Sequence, residues 1–179
     1  PERGWKFSTV QEVAGHMFGG DEYFWRQSFE LSKYHSILPE QTLATRMKVD
    51  WGTPDDKNLF QLGGPVGLRG YPRKTLDGAK AIMANIEYRF PVLKDTNIRL
   101  LDNSVNFASL GGVVFFDVGK AWFNDFDKMD FKKDIGVGLR LRMDIAGFLE
   151  NVILRLDFAK AVSDAKEDGR VWFGINHAF

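Results

Sequence analysis

The sequence predicts an all-β fold, an antiparallel transmembrane β-barrel. About eight segments alternate apolar and polar residues with a period of two, and almost none shows the helical period of 3.6 residues. Aromatic residues and glycines are common, with 16 Phe, 5 Trp and 18 Gly, and the punctuation typical of helices is missing. Several segments run for about ten residues, which is the length that a tilted strand needs to cross a bilayer.

Three of the predicted strands precede residue 53. Trp5–Val13 alternates weakly, and Phe24–Leu38 has a polar face that runs from Arg26 to Ser32. Thr42–Trp51 alternates clearly between apolar and charged residues. Because successive side chains of a strand point to opposite faces, the alternation gives each strand one apolar and one polar face.

Five further strands follow residue 78, at Lys80–Phe90, Gly111–Trp122, Lys132–Asp144, Asn151–Phe158 and Arg170–Phe179. The third of these is the clearest, because apolar residues at every second position lie opposite glycines and charged residues. The second is apolar on both faces near its middle. Strands of this kind can place one face against lipid and the other against a polar lumen.

The connections between these strands alternate in length. If the chain ends on the periplasmic side, the outer connections are 15–23, 53–78, 123–131 and 163–169, and the inner ones are 37–41, 91–103 and 147–151. Long outer loops and short inner turns are typical of outer-membrane barrels. The inner connection 91–103 is longer than expected, and we expect Ile98–Leu101 to extend the strand that follows it.

Composition excludes several other classes of protein. Lys+Arg and Asp+Glu both number 24, so the basic excess typical of nucleic-acid binding is absent. No stretch approaches the roughly 18 apolar residues of a membrane helix. The three histidines, His16, His35 and His177, are scattered, and there is no cysteine, so neither a catalytic triad nor a metal site is indicated. We therefore expect no enzyme, no cofactor and no nucleic-acid partner.

Residues 53–78 form an inserted loop of about 26 residues. Unstructured loops beyond roughly 12–15 residues are uncommon and usually functional or disordered. The centre of this loop is rich in glycine and holds the candidate motif Leu68-Arg69-Gly70-Tyr71. The alternative is a solvated loop with a turn-rich tip.

The motif leads to a family. Leu68-Arg69-Gly70-Tyr71 resembles the arginine-glycine-aromatic motif on the sixth extracellular loop of the BamA/TamA outer-membrane assembly and translocation superfamily, also described as the bacterial surface antigen family. Three later segments resemble further motifs of that family, namely Phe116-Asp117-Val118-Gly119, Gly136-Val137-Gly138-Leu139-Arg140 and the terminal Phe179, which is similar to the C-terminal aromatic that marks such barrels for assembly. The ordered set covers essentially the whole chain.

The resemblance implies a barrel of sixteen strands in an outer membrane. Three predicted strands precede the loop and five follow it, which matches the last eight of the sixteen. A closed barrel of eight strands would be too narrow to admit the loop as well. We therefore expect residues 1–179 to be the C-terminal half of the barrel. Unpaired strand edges are not tolerated in lipid, so missing N-terminal strands or self-association must close it, and the resemblance adds periplasmic domains.

In the family the loop folds back into the barrel, and its arginine contacts charged residues of the wall. A buried charge without a partner costs several kcal/mol, so Arg69 needs an acidic partner. Asp117 is the first choice because it shares the inward parity of its strand, and Glu87 and Asp144 are the alternatives. Four other residues, Gly119, Gly136, Gly138 and Arg140, are expected to line the same lumen. The opposing hypothesis is that Arg69 is unpaired and these charges only line a wet lumen.

The resemblance implies a component that assembles outer-membrane proteins or translocates proteins across the outer membrane. Its expected partners are outer-membrane lipid and unfolded outer-membrane or secreted proteins, and no cofactor is implied. An outer-membrane pore or anchor for an attached domain is the first alternative. A soluble β-barrel that binds an apolar ligand is the second.

Overall fold

The computed structural model describes residues 3–15, 21–94, 96, 98–100, 105–126, 130–145, 149–164 and 168–175. The strands in these ranges are, in chain order, β1 (Gly4–Ala14), β2 (Phe24–Leu38), β3 (Gln41–Thr53), β4 (Phe60–Leu62), β5 (Leu76–Gly78), β6 (Lys80–Leu93), β7 (Ile98–Leu100), β8 (Val105–Trp122), β9 (Lys132–Ile145), β10 (Leu149–Ala161) and β11 (Arg170–Ile175). None of the described residues forms a helix long and apolar enough to cross a membrane.

Eight of these strands form one antiparallel sheet, in the order β1-β2-β3-β6-β8-β9-β10-β11. The short strand β7 pairs with β8 beside this path, and β4 and β5 form a separate two-stranded sheet. In the part of the chain that the structure describes, β1 and β11 each pair on one side only. The predicted all-β antiparallel fold is confirmed, and the sheet is an incomplete barrel with two open edges.

The two faces of the sheet differ in chemistry. The outer face carries large apolar side chains at every second position, each at least 37% exposed, among them Phe7, Phe29, Met47, Ile86, Phe116, Ile135, Leu139, Leu156, Phe158 and Phe173. The inner face carries polar and charged side chains, many of them buried beneath the loop between β3 and β6. A contiguous apolar surface of this size marks a membrane or a partner surface, and its strand alternation is typical of a membrane barrel.

The strand register aligns polar side chains on the inner face. Ser32 lies opposite Arg46, which lies opposite Asn85 on the next strand. Asn85 in turn lies opposite Asp117, and Asp117 lies opposite Asp134. We call these five residues the polar row. All five are buried, and together they cross β2, β3, β6, β8 and β9 at one level.

Three predicted elements differ from the structure. The segment Ile98–Leu100 does not extend β8 but forms β7, which lies antiparallel to β8 with Ile98 opposite Phe107. The strand predicted at Gly111–Trp122 begins six residues earlier, at Val105. The loop 53–78 is not unstructured, because β4 and β5 pair within it. In each case short apolar segments find a pairing partner that alternation alone does not reveal.

Candidate functional site

The loop between β3 and β6 folds back over the inner face of the sheet. Its residues Leu59, Phe60, Leu62, Leu68 and Tyr71 are buried in one cluster with Ala79, Ala81, Met83 and Ala161. Removal of apolar side chains from water is the main force that holds such a segment in place. The loop is therefore a packed element, and the alternative of a solvated loop is wrong.

The tip of the loop is closed by its own backbone. The Gly64 amide donates hydrogen bonds to the carbonyl oxygens of Leu68 and Tyr71, at 3.1 and 3.2 Å, and the Tyr71 amide donates to that of Leu68 at 3.2 Å. Gly63 and Gly64 have φ values of 111° and 95°, which residues with a side chain rarely adopt. The glycines thus permit a compact turn that directs Arg69 toward the sheet.

Arg69 is held by two carboxylates from two strands. Its Nε and Nη2 atoms donate to Oδ2 and Oδ1 of Asp117, each at 2.7 Å, which makes a bidentate pair. Its Nη1 atom donates to Oε1 of Glu87 at 2.5 Å. Arg69 is 2% exposed, so both pairs are shielded from water. The planar guanidinium fits two carboxylates at once, a geometry that lysine does not offer.

Neighbouring groups complete the surroundings of the arginine. The Arg69 Cζ atom lies 3.4 Å from the centroid of the Phe115 ring, a cation–π contact. The Asn85 amide donates to Asp117 Oδ1 at 2.8 Å and to the Gly67 carbonyl at 3.1 Å. Burial disfavours the charge of Arg69, but the hydrogen bonds and charge of Asp117 and the charge of Glu87 outweigh it and raise the pKa of Arg69. Arg69 is therefore a permanent cation in the docked loop.

The carboxylates are themselves paired with strand arginines. Arg89 donates through Nε and Nη2 to Glu87 Oε2, at 2.9 and 2.7 Å. Asp157, whose Oδ2 lies 3.8 Å from Arg69 Nη1, accepts from Arg155 Nε at 2.6 Å and from Arg140 Nη1 at 2.5 Å. Glu87 and Asp157 are therefore each paired with arginines of the strands, and buried networks of this kind are stable when their members are paired.

Side chains of the strands also donate hydrogen bonds to the backbone of the loop. Three contacts do this: Arg46 Nη2 to the Val66 carbonyl at 2.7 Å, Arg155 Nη2 to the Pro65 carbonyl at 2.5 Å, and Trp172 Nε1 to the Arg69 carbonyl at 2.6 Å. A fourth hydrogen bond joins the side chain of Tyr71, through Oη, to Ser163 Oγ at 2.8 Å. The docked loop is thus bonded to β3, β6, β8, β10 and β11. We call the Arg69 pairs with Asp117 and Glu87 the latch.

A sequence model of the Omp85 superfamily domain matches residues 1–179. The chain belongs to the Omp85 superfamily. Proteins of the Omp85 superfamily are generally outer-membrane proteins of assembly and translocation, and they are generally not enzymes. No protein of curated function matches this Omp85 chain significantly.

The structure of the Omp85 domain brings most of the predicted site residues together. Leu68, Arg69, Gly70 and Tyr71 lie at the loop tip, and Asp117 and Glu87 hold the arginine. The predicted glycines lie around them, with Gly119 beneath Leu62 and Leu68, Gly136 beneath the Phe115 ring, and Gly138 beside Arg140. A Cβ atom at Gly136 would clash with that ring and with the Phe158 carbonyl oxygen, so glycine at this position leaves room for the Phe115 ring that contacts Arg69.

One predicted residue, Asp144, lies apart from the latch. Asp144 lies opposite Asn106, eleven positions before Asp117 on β8. At about 3.3 Å per residue this places it roughly 35 Å along the strand from the latch. Asp144 has the correct parity but lies at the wrong end of β9, so it is not an alternative partner of Arg69. Phe179 lies outside the described residues.

The residues of the Omp85 site that were not predicted from the sequence include Arg46, Asn85, Asp157, Arg155 and Trp172. Each lies on the inner face of its strand, and that parity is visible in the alternation. Which of the many inward polar residues reaches the loop depends on the register between strands. The register is fixed by pairing across the whole sheet, so the alternation of one strand does not reveal it.

Proposed function

We propose that this Omp85 domain is part of an outer-membrane machine that inserts or translocates β-rich proteins, and that the latch sets the resting shape of its lumen. The family membership supports the broad activity. The latch supports the mechanistic part, because it fixes a long loop at one place on the inner wall.

The observation that carries the proposal is the burial of Arg69 between Asp117 and Glu87. Apolar packing alone would hold a loop that only fills space, and a buried ion pair adds little net stability compared with apolar residues of similar size. A buried ion pair does specify one geometry, since removal of either partner leaves an uncompensated charge. The latch therefore favours a loop with a defined resting position and a defined release.

The membrane setting is part of the proposal. The apolar outer face is the surface that would contact lipid. Open strand edges are not stable in the hydrocarbon region, because their unpaired backbone groups have no hydrogen-bond partners there. β1 and β11 are accordingly the edges at which further barrel strands, or a second copy, would close the wall. Unfolded outer-membrane or secreted proteins are the proposed substrates.

The test uses the full-length protein reconstituted in liposomes, with a urea-unfolded eight-stranded outer-membrane barrel as the client. We expect Arg69→Ala to slow client folding about tenfold, because Asp117 and Glu87 are left buried without their common partner. Lys74→Ala is the matched control, since Lys74 is an exposed cation of the same loop. It should leave the rate within about twofold of wild type.

Equal rates for the wild type and Arg69→Ala would contradict the role of the latch. A wild-type protein that accelerates neither the folding nor the translocation of a client would contradict the proposed function. A full-length protein that conducts ions or displays an attached domain without any effect on clients would instead support the pore-or-anchor alternative.

A further inference from the structure

The loop motif rests on a carboxyl group that takes no part in the latch. Asp134 lies on β9 directly opposite Asp117, and its side chain is fully buried. Neither of its carboxyl oxygens has a hydrogen-bond partner of good geometry among the described residues. Asp117 differs, since it accepts hydrogen bonds from Arg69 and Asn85. Two adjacent carboxyl groups therefore have very unequal surroundings.

Gly70 is the residue that covers Asp134. A Cβ atom at Gly70 would lie 2.5 Å from the Asp134 Cβ, so the loop backbone sits directly on this side chain. The Gly70 amide faces the carboxyl group without reaching hydrogen-bond geometry. Docking of the loop thus separates Asp134 from the water of the lumen, and lifting of the loop would restore that water.

The balance of interactions at Asp134 opposes docking. Burial of a polar group without a hydrogen-bond partner is unfavourable, and the Asp134 carboxyl group also lies directly opposite a second carboxyl group, that of Asp117. The charge of Arg69 compensates only in part, because none of its guanidinium N–H groups donates to Asp134: Nε and Nη2 are bonded to Asp117 and Nη1 is bonded to Glu87. Apolar packing and the latch therefore hold the loop down against a local opposing contribution from Asp134.

We propose that Asp134 destabilises the docked loop and thereby keeps the latch releasable. It is a positioning residue, because it acts through the Gly70 backbone and through Asp117 and contacts no substrate. The purpose of this arrangement rests on the proposed function: a machine whose lumen changes shape needs a loop that leaves its site and returns. Its physical effect can be measured without any client protein.

Trypsin cleavage after Arg69 in the folded full-length protein in liposomes measures release of the loop, provided that every variant also carries Arg73→Gln and Lys74→Gln, which remove the exposed trypsin sites beside it. Arg69 is buried, so the protease reaches it only when the loop lifts. Asp134→Asn keeps the size of the side chain, replaces the ionisable carboxyl group with a neutral amide and supplies donors that face Asp117. We expect cleavage to slow about tenfold, a typical effect of relieving one unsatisfied buried group. Asp134→Ala removes the carboxyl group without adding a donor, and it should also slow cleavage.

Asp157→Asn is the matched control, because it makes the same substitution at a buried carboxylate that has two arginine partners. It should accelerate cleavage. Slower cleavage in both Asp134 variants together with faster cleavage in Asp157→Asn supports the proposal. Cleavage of the Asp134 variants at or above the wild-type rate overturns it, and so does an equal rate in all variants. If the variants show the expected cleavage rates but the protein folds no client, only the proposed function is contradicted.

Discussion

Arg69 reaches its two carboxylates because the residue that follows it has no side chain. Gly70 passes over β9 and β10 so closely that a Cβ would lie 2.5 Å from the Asp134 Cβ and 2.7 Å from the Ala161 amide nitrogen. One of these atoms is backbone, which cannot move aside without disturbing the strand pairing. At the scale of single residues, the latch therefore requires glycine at position 70 as much as it requires arginine at position 69.

This requirement makes Gly70→Ala a test of the docked geometry. We expect the added methyl group to destabilise docking by about 2 kcal/mol, since overpacking of a filled site typically costs this much. Trypsin cleavage after Arg69 should become correspondingly faster. Gly111→Ala is the control, because a Cβ there would make only ordinary contacts, the nearest at 3.5 Å from the Phe90 carbonyl oxygen. Cleavage at the wild-type rate in both variants would contradict the close approach of the Gly70 backbone to β9 and β10.

At the scale of elements, β11 is the shortest of the eight strands that form the main sheet, and it lies at an edge. It has six residues and, in the described part of the chain, pairs with β10 alone. Its apolar side chains Val171, Phe173 and Ile175 face outward and are exposed. On the inner face, Trp172 donates to the Arg69 carbonyl, and its ring lies 5.7 Å from the Arg73 guanidinium. The docked loop therefore contributes directly to the order of this edge strand.

We expect Trp172→Phe to loosen β11 while the latch stays closed. The variant keeps an aromatic ring but loses the indole N–H, and loss of one hydrogen bond corresponds to about tenfold faster amide hydrogen exchange in β11. Hydrogen exchange followed by mass spectrometry on the full-length protein measures this. Trp122→Phe, on β8, should leave β11 exchange unchanged. Unaltered exchange in Trp172→Phe would show that the loop and the edge strand are independent.

The elements also show where sequence reasoning succeeds and where it stops. Alternation predicts β2 with both of its bounds, Phe24 and Leu38, because a half-buried strand repeats one simple pattern. Inward parity is enough to select Asp117 as the partner of Arg69. By contrast, the hydrogen bond from Arg155 to the Pro65 carbonyl joins residues that are 90 positions apart in the chain. Such a contact depends on how five strands and a loop are aligned, and no local pattern encodes that alignment.

At the scale of the whole molecule, adjacent residues of one strand tolerate different substitutions, because they lie on opposite faces of the sheet. Leu139 is 44% exposed on the outer face, whereas the next residue, Arg140, points inward to Asp157. A charge is thus satisfied on one side of the strand and has no partner on the other. The same contrast repeats along β9 and β10, so the membrane setting can be tested at one position.

We expect Leu139→Arg to impair folding into a bilayer, because an arginine on the lipid face near the midplane costs about 2–4 kcal/mol. The folded fraction in liposomes, measured by the heat-dependent gel shift of membrane barrels, should fall relative to Leu139→Ala. The alanine variant controls for the lost leucine side chain. Equal folded fractions for the two variants would argue that this face does not meet lipid.

The polar row restricts where insertions and deletions can be tolerated during evolution. Its members face inward only because each strand keeps its register, and one inserted or deleted residue moves all later side chains of that strand to the opposite face. A single insertion early in β8 would turn Asp117 toward the outer face and leave Arg69 without its bidentate partner. Insertions between β8 and β9 lie beyond the paired residues and leave the row intact. Heritable changes in length should therefore accumulate at the rims of the barrel and be purged from the strands beneath the loop.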